Sequence, residues 1–522
     1  MRTKILFGVF LVFLGFHLVH LCGLTDDSYI SYRYSRNLAQ GHGLRWNIDE
    51  EPVEGYTNFL WILIGTAVYM GAPSFLPLIM QILGIILFLA ALWLFYRILL
   101  PVFAGRESDV WPFLFLFAAS GPLVLWATSG LETPLFMFLI LAVFYRYQRL
   151  PAEDDLKAES GLWTLTFLAF LARPDGILVG AVIGFERIIL LKGWKRPRAI
   201  IPLVLFFLFP FIAYNAWRFF YFHALLPNTF HAKATGAPLL QVKKGLLYLG
   251  DFGWACLLPL IPLWFALVLR SRDKSRGETF SLPWLRPVLV FLALFTAYIV
   301  YVGGDYMSMF RFFVPLLPLI YLVSAAWFRW RGARLEALVW LAILITLLPS
   351  TPLDKPLFGG NKTYHYGGWE GFKTERWYIR RYEAIGRALD RAVPDKSASV
   401  VIPAIGAVGY FSGLDVLDYY GLTDRVIARM KRKAFAGNFP GHEKTDIDYI
   451  LSRKPTILMG YKRFTPNRVG IEHPMFKDYY VQGDLRRWSL IRDHYRVRNI
   501  WVNDRGNRES GYLTFLELKK RE

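Results

Sequence analysis

The chain is 522 residues long, with 55% hydrophobic and 17% aromatic residues and a mean hydropathy of +0.33. A soluble domain carries roughly 45–50% apolar residues, so a wholly soluble protein is excluded: apolar runs fill the chain up to residue 349, and a soluble type of sequence follows over 350–522. More than half of the formal charge of +20 lies in that second part, and the rest sits in short loops between apolar runs. With no recognition motif beside it, this charge points to anionic lipid or polyanionic glycan, and nucleic acid is not an expected partner.

The first apolar run, 5–21, follows Arg2 and Lys4 and is long for a signal-peptide core; no small-x-small cleavage site comes after it. It reads as a membrane helix with a cytoplasmic N-terminus. Further runs lie at 75–96, 111–126, 133–147, 162–171, 176–191, 200–221, 246–269, 287–302, 312–328 and 335–349. The run 58–70 is short. Basic loops at 97–106, 146–157, 192–198, 270–286 and 329–334 alternate consistently as cytoplasmic only if 58–70 lies in the interface without crossing. The expectation is therefore about 11 crossings with a juxtamembrane helix at 58–70 and a C-terminal domain outside the cytoplasm. Cys22 and Cys256, far apart and in or beside apolar runs, give neither a metal spacing nor a disulfide framework.

That topology places the unusual loops on the external side. Thr25-Asp26-Asp27 leaves the first span, and two carboxylates beside lipid are costly unless solvated, paired or functional. The following stretch has Ile30, Tyr34 and Leu38 at helical spacing with Arg33, Arg36 and Asn37 elsewhere around it, as in an interfacial amphipathic helix. Capping explains the acids as structural; a general base that takes a proton from an attacking sugar hydroxyl explains them as functional. Each remaining loop has its own structural reading: a helix cap for Glu132, a tight turn with an ion pair for Arg173-Pro174-Asp175-Gly176, a snorkelling loop for His231 and Lys233, and a surface pair for Asp305 and Arg311. Read functionally, Arg173, His231, Lys233 and Arg311 bind a donor phosphate and stabilise the charge growing on the leaving group. Asp26, Asp27 or Glu132 would face the oxocarbenium ion. The acids suit a divalent cation as ligands, but their spacing requires none, so no metal or other cofactor is expected.

Residues 26–44, beginning Asp26-Asp27-Ser28-Tyr29-Ile30-Ser31-Tyr32-Arg33, and the segment Pro52-Val53-Glu54-Gly55-Tyr56-Thr57-Asn58 resemble the first external loop of a bacterial membrane glycosyltransferase family. Similar matches occur at 129–133, 173–176, 226–233, 303–311 and 409–424. The family resembled has the GT-C fold and includes the mycobacterial terminal β-(1→2)-arabinofuranosyltransferase. The resemblance implies a base at Asp26 or Asp27; the substrate set expected around it, from the charged loops themselves, is Arg33, Glu132, Arg173, Asp175, His231, Lys233, Asp305 and Arg311. The resemblance also implies a polyprenyl-phosphate sugar donor, a cell-envelope glycan acceptor and inversion at the anomeric carbon.

Beyond a Gly/Pro-rich linker at 353–371, helical periodicity spans 377–393, strands are predicted at 399–402, 416–418 and 456–459, and a basic helix at 423–435. The pattern suits a small α/β or α+β domain, expected to hold the acceptor glycan. The predicted fold is thus a mainly α, GT-C-like membrane domain over 1–349 with a soluble extracytoplasmic domain over 350–522, in the bacterial inner membrane. Two other classes fit the composition: a transporter of lipid-linked sugars, which predicts internal repeats, and a non-catalytic envelope protein of the same fold.

Overall fold

The computed structural model describes residues 2–151, 155–233, 238–257, 282–330, 343, 368–430, 442–504 and 509–519. The N-terminal region is helical: α1 (Arg2–His20), α2 (Asp26–Ala39), α3 (Phe59–Gly71), α4 (Leu76–Val102), α5 (Glu107–Ala119), α6 (Gly121–Thr128), α7 (Thr133–Gln148) and α8 (Leu156–Ala172). It continues with α9 (Ile177–Gly184), α10 (Pro197–Leu203), α11 (Phe209–Phe222), α12 (Asn228–Lys233), α13 (Pro238–Phe252), α14 (Leu285–Val302) and α15 (Leu317–Trp330).

Among the described residues four stretches are long and apolar enough to cross a membrane: Pro73–Val102, Pro197–Phe222, Leu285–Val302 and Ser308–Trp327. The pair α5 and α6 makes a fifth if counted together, although it is bent by 58°. The bend falls at Ser120-Gly121-Pro122, where proline lacks an N–H and restricts the residue before it. The count of about 11 is thus not reproduced by full-length spans. A helix of the length of α7, 16 residues, reaches only about 24 Å against a hydrocarbon core of about 30 Å. The expected span at 246–269 is described only as far as residue 257, and that at 335–349 lies outside the described residues except for 343.

The C-terminal region opens with α16 (Gly368–Ala392), then β1 (Ser399–Ile402), α17 (Gly406–Ser412), β2 (Asp415–Asp418), α18 (Arg425–Arg429), β3 (Ile457–Thr465), β4 (Tyr495–Asp504) and β5 (Glu509–Leu518). The five strands form one sheet in the order β2-β1-β3-β5-β4. β1 runs parallel to both neighbours, Ser399 opposite Asp415 and Val400 opposite Ile457, whereas β3, β5 and β4 are antiparallel. The three predicted strands are present. The β4–β5 pair was not expected, and the basic helix is described only as α18, since most of 423–435 beyond it lies outside the described residues.

Strand alternation divides the sheet between two cores. Val400, Ile402, Val416 and Phe515 face the side packed by α16 and α17, and there the apolar cluster runs on without a break to Tyr29, Tyr32, Trp61 and Trp126 of the N-terminal region. Val401, Leu417, Leu458 and Leu516 face a smaller cluster with Ile447, Phe476 and Ile491.

α2 lies at the junction. Tyr29, Ile30, Tyr32, Arg33 and Tyr34 are all buried, so the helix is covered by protein and does not rest on an open interface. α3 packs on one side, where a Cβ on Gly65 would stand 2.5 Å from the Ser35 hydroxyl. α17 packs on the other: the Tyr29 ring meets Tyr410 at 5.6 Å and Phe411 at 5.3 Å. Aromatic side chains around most of the circumference give α2 no single apolar stripe to lay on lipid.

Candidate active site

The two adjacent aspartates at the head of α2 point to different places. The Asp26 carboxylate accepts the backbone N–H groups of Gly406 at 3.2 Å and Ala407 at 2.8 Å, at the start of α17. A Cβ on Gly406 would lie 2.0 Å from the Asp26 carbonyl oxygen, so only glycine permits this approach. Asp27 turns the other way. One of its oxygens lies 3.6 Å from the Arg311 guanidinium, and the other accepts the Tyr306 hydroxyl at 3.5 Å. Its side chain stays 28% exposed, whereas that of Arg311 is 7% exposed. Asp26 therefore joins the two regions, and Asp27 is the acid that faces a cationic site while keeping access to water.

Arg311 is fixed by an unusual turn. Gly303 and Gly304 have φ of 89° and 75°, and a Cβ on Gly304 would meet the Tyr248 ring at 2.6 Å. The chain then passes through Met309 and Phe310 at φ of 56° and 52°. Left-handed backbone costs a non-glycine residue roughly 1–2 kcal/mol; here the Trp126 indole N–H, shared between the carbonyls of Ser308 and Met309, helps hold it. Arg311 donates to Asp305 through two nitrogens, at 2.6 and 3.1 Å.

A second buried guanidinium stands nearby. Arg173 grips Asp175 through Nε and a terminal nitrogen, the shortest contact being 2.8 Å, and lies 3.5 Å from Glu132. Glu132 also accepts the Asn58 amide at 2.9 Å, and Asn58 donates to Ser31 on α2. Phe312 lies between the cations, 5.1 Å from Arg173 and 5.3 Å from Arg311. The loop carrying Glu132 is pinned by the Gly130 carbonyl, which accepts the Tyr32 hydroxyl and the Trp61 indole, each at 3.0 Å.

Lys233, at the end of α12, completes the positive charge. Burial and the Arg311 guanidinium lower its pKa, with Asp305 and Asp27 acting in the opposite sense. Among the described residues its ammonium forms no hydrogen bond or ion pair of its own. α12 is held in place by a knot of buried polar contacts. Arg218 donates to both Glu54 oxygens, at 2.7 and 2.9 Å, the Glu54 carbonyl accepts the Asn228 N–H at 3.0 Å, and the Asn228 amide donates to the carbonyls of Gly421 and Leu422.

The other two candidates lie apart. His231 is two positions from Lys233 on the same short helix and so faces away from it; its surroundings are Arg429 and Lys444, which together with burial lower its pKa. Arg33 uses all three guanidinium nitrogens on the Trp46 carbonyl, the Gly409 carbonyl and the Asn47 amide oxygen, at 2.9, 2.9 and 3.1 Å, with Trp46 stacked beneath it.

Glu375, on α16 of the C-terminal region, is a member of the site that the sequence did not reveal. Burial and the Asp27 carboxylate push its carboxyl up to about 8; Asp26 and Asp305 add to the shift and Arg311 opposes it. The site therefore gathers Arg173, Lys233 and Arg311 against Asp27, Glu132, Asp175 and Asp305, with Glu375 held protonated at neutral pH. Among the described residues no three His, Cys, Asp or Glu side chains converge as metal ligands. What the arrangement offers is a partly solvated carboxylate within reach of dry, fixed positive charge, the pairing that proton removal beside a developing anion requires.

Comparisons with known proteins agree with the architecture. Residues 373–514 match a domain of unknown function (DUF8728), and no curated protein matches the chain. The solved structure of ArnT from Cupriavidus metallidurans in the apo state is similar over 99% of this chain and 97% of its own, with 11% identity and a TM-score of 0.55. The structure of the same protein bound to undecaprenyl phosphate is similar over 99% and 98%, with 13% identity and a TM-score of 0.49. The likeness does not single out the arabinofuranosyltransferase family. What it carries is the architecture: over nearly its whole length the chain has the GT-C fold, in common with ArnT.

Proposed function

We propose that the chain is an inverting glycosyltransferase of the inner membrane, moving a sugar from a polyprenyl-phosphate donor to a cell-envelope glycan on the extracytoplasmic face. The observation that carries this reading is the setting of Asp27, a partly exposed carboxylate at the head of α2 held loosely against the buried Arg311. In the reaction an acceptor hydroxyl oxygen attacks C1 of the donor sugar. Its proton passes to Asp27, the new C1–O bond forms on one face, and the C1–O bond to phosphate breaks on the other. The electron pair leaves with the polyprenyl phosphate. Lys233, which has no anion of its own among the described residues, is the first contact for that phosphate, with Arg311 and Arg173 adding positive charge behind it. The two guanidinium groups are already fixed by Asp305, Asp175 and Glu132, so little reorganisation on their part accompanies the charge shift.

On this reading residues 1–349 form the catalytic membrane domain and 350–522 an extracytoplasmic domain, with the N-terminus in the cytoplasm. Arabinofuranose is the sugar suggested by the first-loop sequence, which resembles that of the arabinofuranosyltransferases. The test is transfer by the purified full-length protein from synthetic polyprenyl-phosphate pentoses and hexoses, with product configuration read by NMR. Transfer with inversion, lost in Asp27→Asn but retained in Asp26→Asn, supports the proposal. Transfer retained in Asp27→Asn removes the base, and no transfer from any donor by the wild type removes the enzyme class.

A further inference from the structure

Tyr306 touches more than the base. Its hydroxyl donates to Asp27 at 3.5 Å, and its ring packs against His442 of the C-terminal region at 4.9 Å with an interplanar angle of 82°. His442 in turn packs against Tyr420 at 4.7 Å and 71°. The three rings form a row of successive contacts, from Tyr306 at the proposed base through His442 to Tyr420 of the C-terminal region. All three side chains are half-buried, so each keeps an accessible surface.

Buried polar groups hold the row in place. Tyr420 follows Asp418, a buried carboxylate that accepts the N–H groups of Tyr420 and Thr423, each at 2.9 Å. His442 precedes Glu443 and Lys444, which are both buried. Glu443 pairs with Lys244 of α13 at 2.5 Å, and Lys444 donates to the carbonyls of His231 and Ala428, each at 2.7 Å. Buried charges are costly unless fully partnered, and ordinary packing of three surface rings does not call for several of them. Their effect is to fix the Tyr420 and His442 segments, so that these two rings and Tyr306 stay in contact beside Asp27.

We infer that Tyr306, His442 and Tyr420 form the acceptor subsite, a platform on which successive sugars of a glycan lie while the terminal hydroxyl reaches Asp27. Aromatic rings offer flat apolar faces to the C–H faces of sugars, and tyrosine and histidine add hydrogen-bonding edges for the hydroxyls. The row extends over more than one ring, so it favours an oligosaccharide over a single sugar. This inference rests on the glycosyltransferase reading for its orientation toward Asp27.

The experiment uses the full-length protein with a polyprenyl-phosphate donor and acceptors from mono- to tetrasaccharide. For Tyr420→Ala and His442→Ala the acceptor KM should rise about tenfold for the tetrasaccharide. The monosaccharide should be affected much less, and kcat at saturating tetrasaccharide should stay close to wild type. Tyr420→Phe, which keeps the ring, should restore most of the affinity. A parallel titration of tetrasaccharide onto the protein without donor, followed by calorimetry, should show the same order of affinities. An unchanged KM and unchanged binding in both alanine variants overturn the inference while leaving the enzyme reading intact. Lower kcat with unchanged KM also overturns it, since the row would then act on the base. If the wild type transfers nothing, the enzyme reading fails, and the titration still decides whether the row binds glycan.

Discussion

The opposed orientations of Asp26 and Asp27 predict that two chemically identical substitutions, one residue apart, will fail in different ways. Asp26 accepts two N–H groups of α17 at 2.8 and 3.2 Å, and hydrogen bonds to a charged acceptor contribute roughly 1.5–3 kcal/mol each. Asp26 is half-exposed, so the lower part of that range applies, and Asp26→Ala should cost about 2–4 kcal/mol. Asp26→Asn keeps one acceptor oxygen and turns an NH₂ toward the second N–H, so it should cost about half as much. Asp27 makes only marginal contacts, at 3.5 and 3.6 Å, so Asp27→Asn should change stability by less than about 0.5 kcal/mol while removing the proposed proton acceptor. General-base removal costs roughly 10²–10⁴-fold in rate. Thermal unfolding in lipid nanodiscs, followed by tryptophan fluorescence, and initial rates of sugar transfer on the same samples separate the two effects. Loss of transfer in Asp26→Asn at unchanged stability, together with full activity in Asp27→Asn, would refute the assignment.

Arg311→Met leaves the buried Asp305 without its partner and should cost about 3–5 kcal/mol, read as a lowered unfolding temperature. Arg311→Lys keeps the charge but not the two-nitrogen grip, and should fall between. Gly406→Ala drives a Cβ to 2.0 Å from the Asp26 carbonyl oxygen and should destabilise by about 1–3 kcal/mol or more, whereas Gly15→Ala, with nothing within 4 Å, should not destabilise. Glu375 has a folded pKa raised from 4.5 to about 8, so the folded state holds a proton that the unfolded chain releases. Its contribution therefore falls as pH rises between those values, and Glu375→Gln should flatten that slope in a pH series of unfolding temperatures. Ionisation of Glu375 also adds a fifth carboxylate to the site, which on the proposed reading faces the donor phosphate. The donor KM should then rise above about pH 8 in the wild type and not in Glu375→Gln.

Much of the site could be read in the chain because its acids and cations sit in short polar turns between apolar runs. There a charge is conspicuous, as at Asp26-Asp27, Arg173-Pro174-Asp175 and Asp305 with Arg311. The pairings Arg173–Asp175 and Arg311–Asp305 are local and follow from sequence proximity. Glu375 was not legible for the opposite reason: it lies in a helix rich in charge, where one more glutamate resembles a solvated face, and only the docking of α16 turns it inward. The separation of Asp26 from Asp27 was equally hidden, since it depends on where α17 comes to rest. In the sheet, the β4–β5 pair did leave a signal. Tyr495, Val497 and Arg496, Arg498 alternate, and Asp504-Arg505-Gly506-Asn507 has the composition of a turn. The burial of α2 was misjudged because its apolar residues suggested one stripe, whereas its tyrosines are buried around most of the helix.

The bond between Asp26 and Ala407 spans 381 positions of the chain. A ribosome delivers the head of α2 to the membrane long before it has made the segment that will receive the Asp26 carboxylate. During that interval Asp26 lacks the two N–H groups that its carboxylate accepts in the folded chain. Competence is therefore a property of the finished polypeptide. An incomplete or wrongly translocated product carries Asp27, Arg173, Lys233 and Arg311 and still lacks both the segment that holds Asp26 and the helix that brings Glu375 to the site.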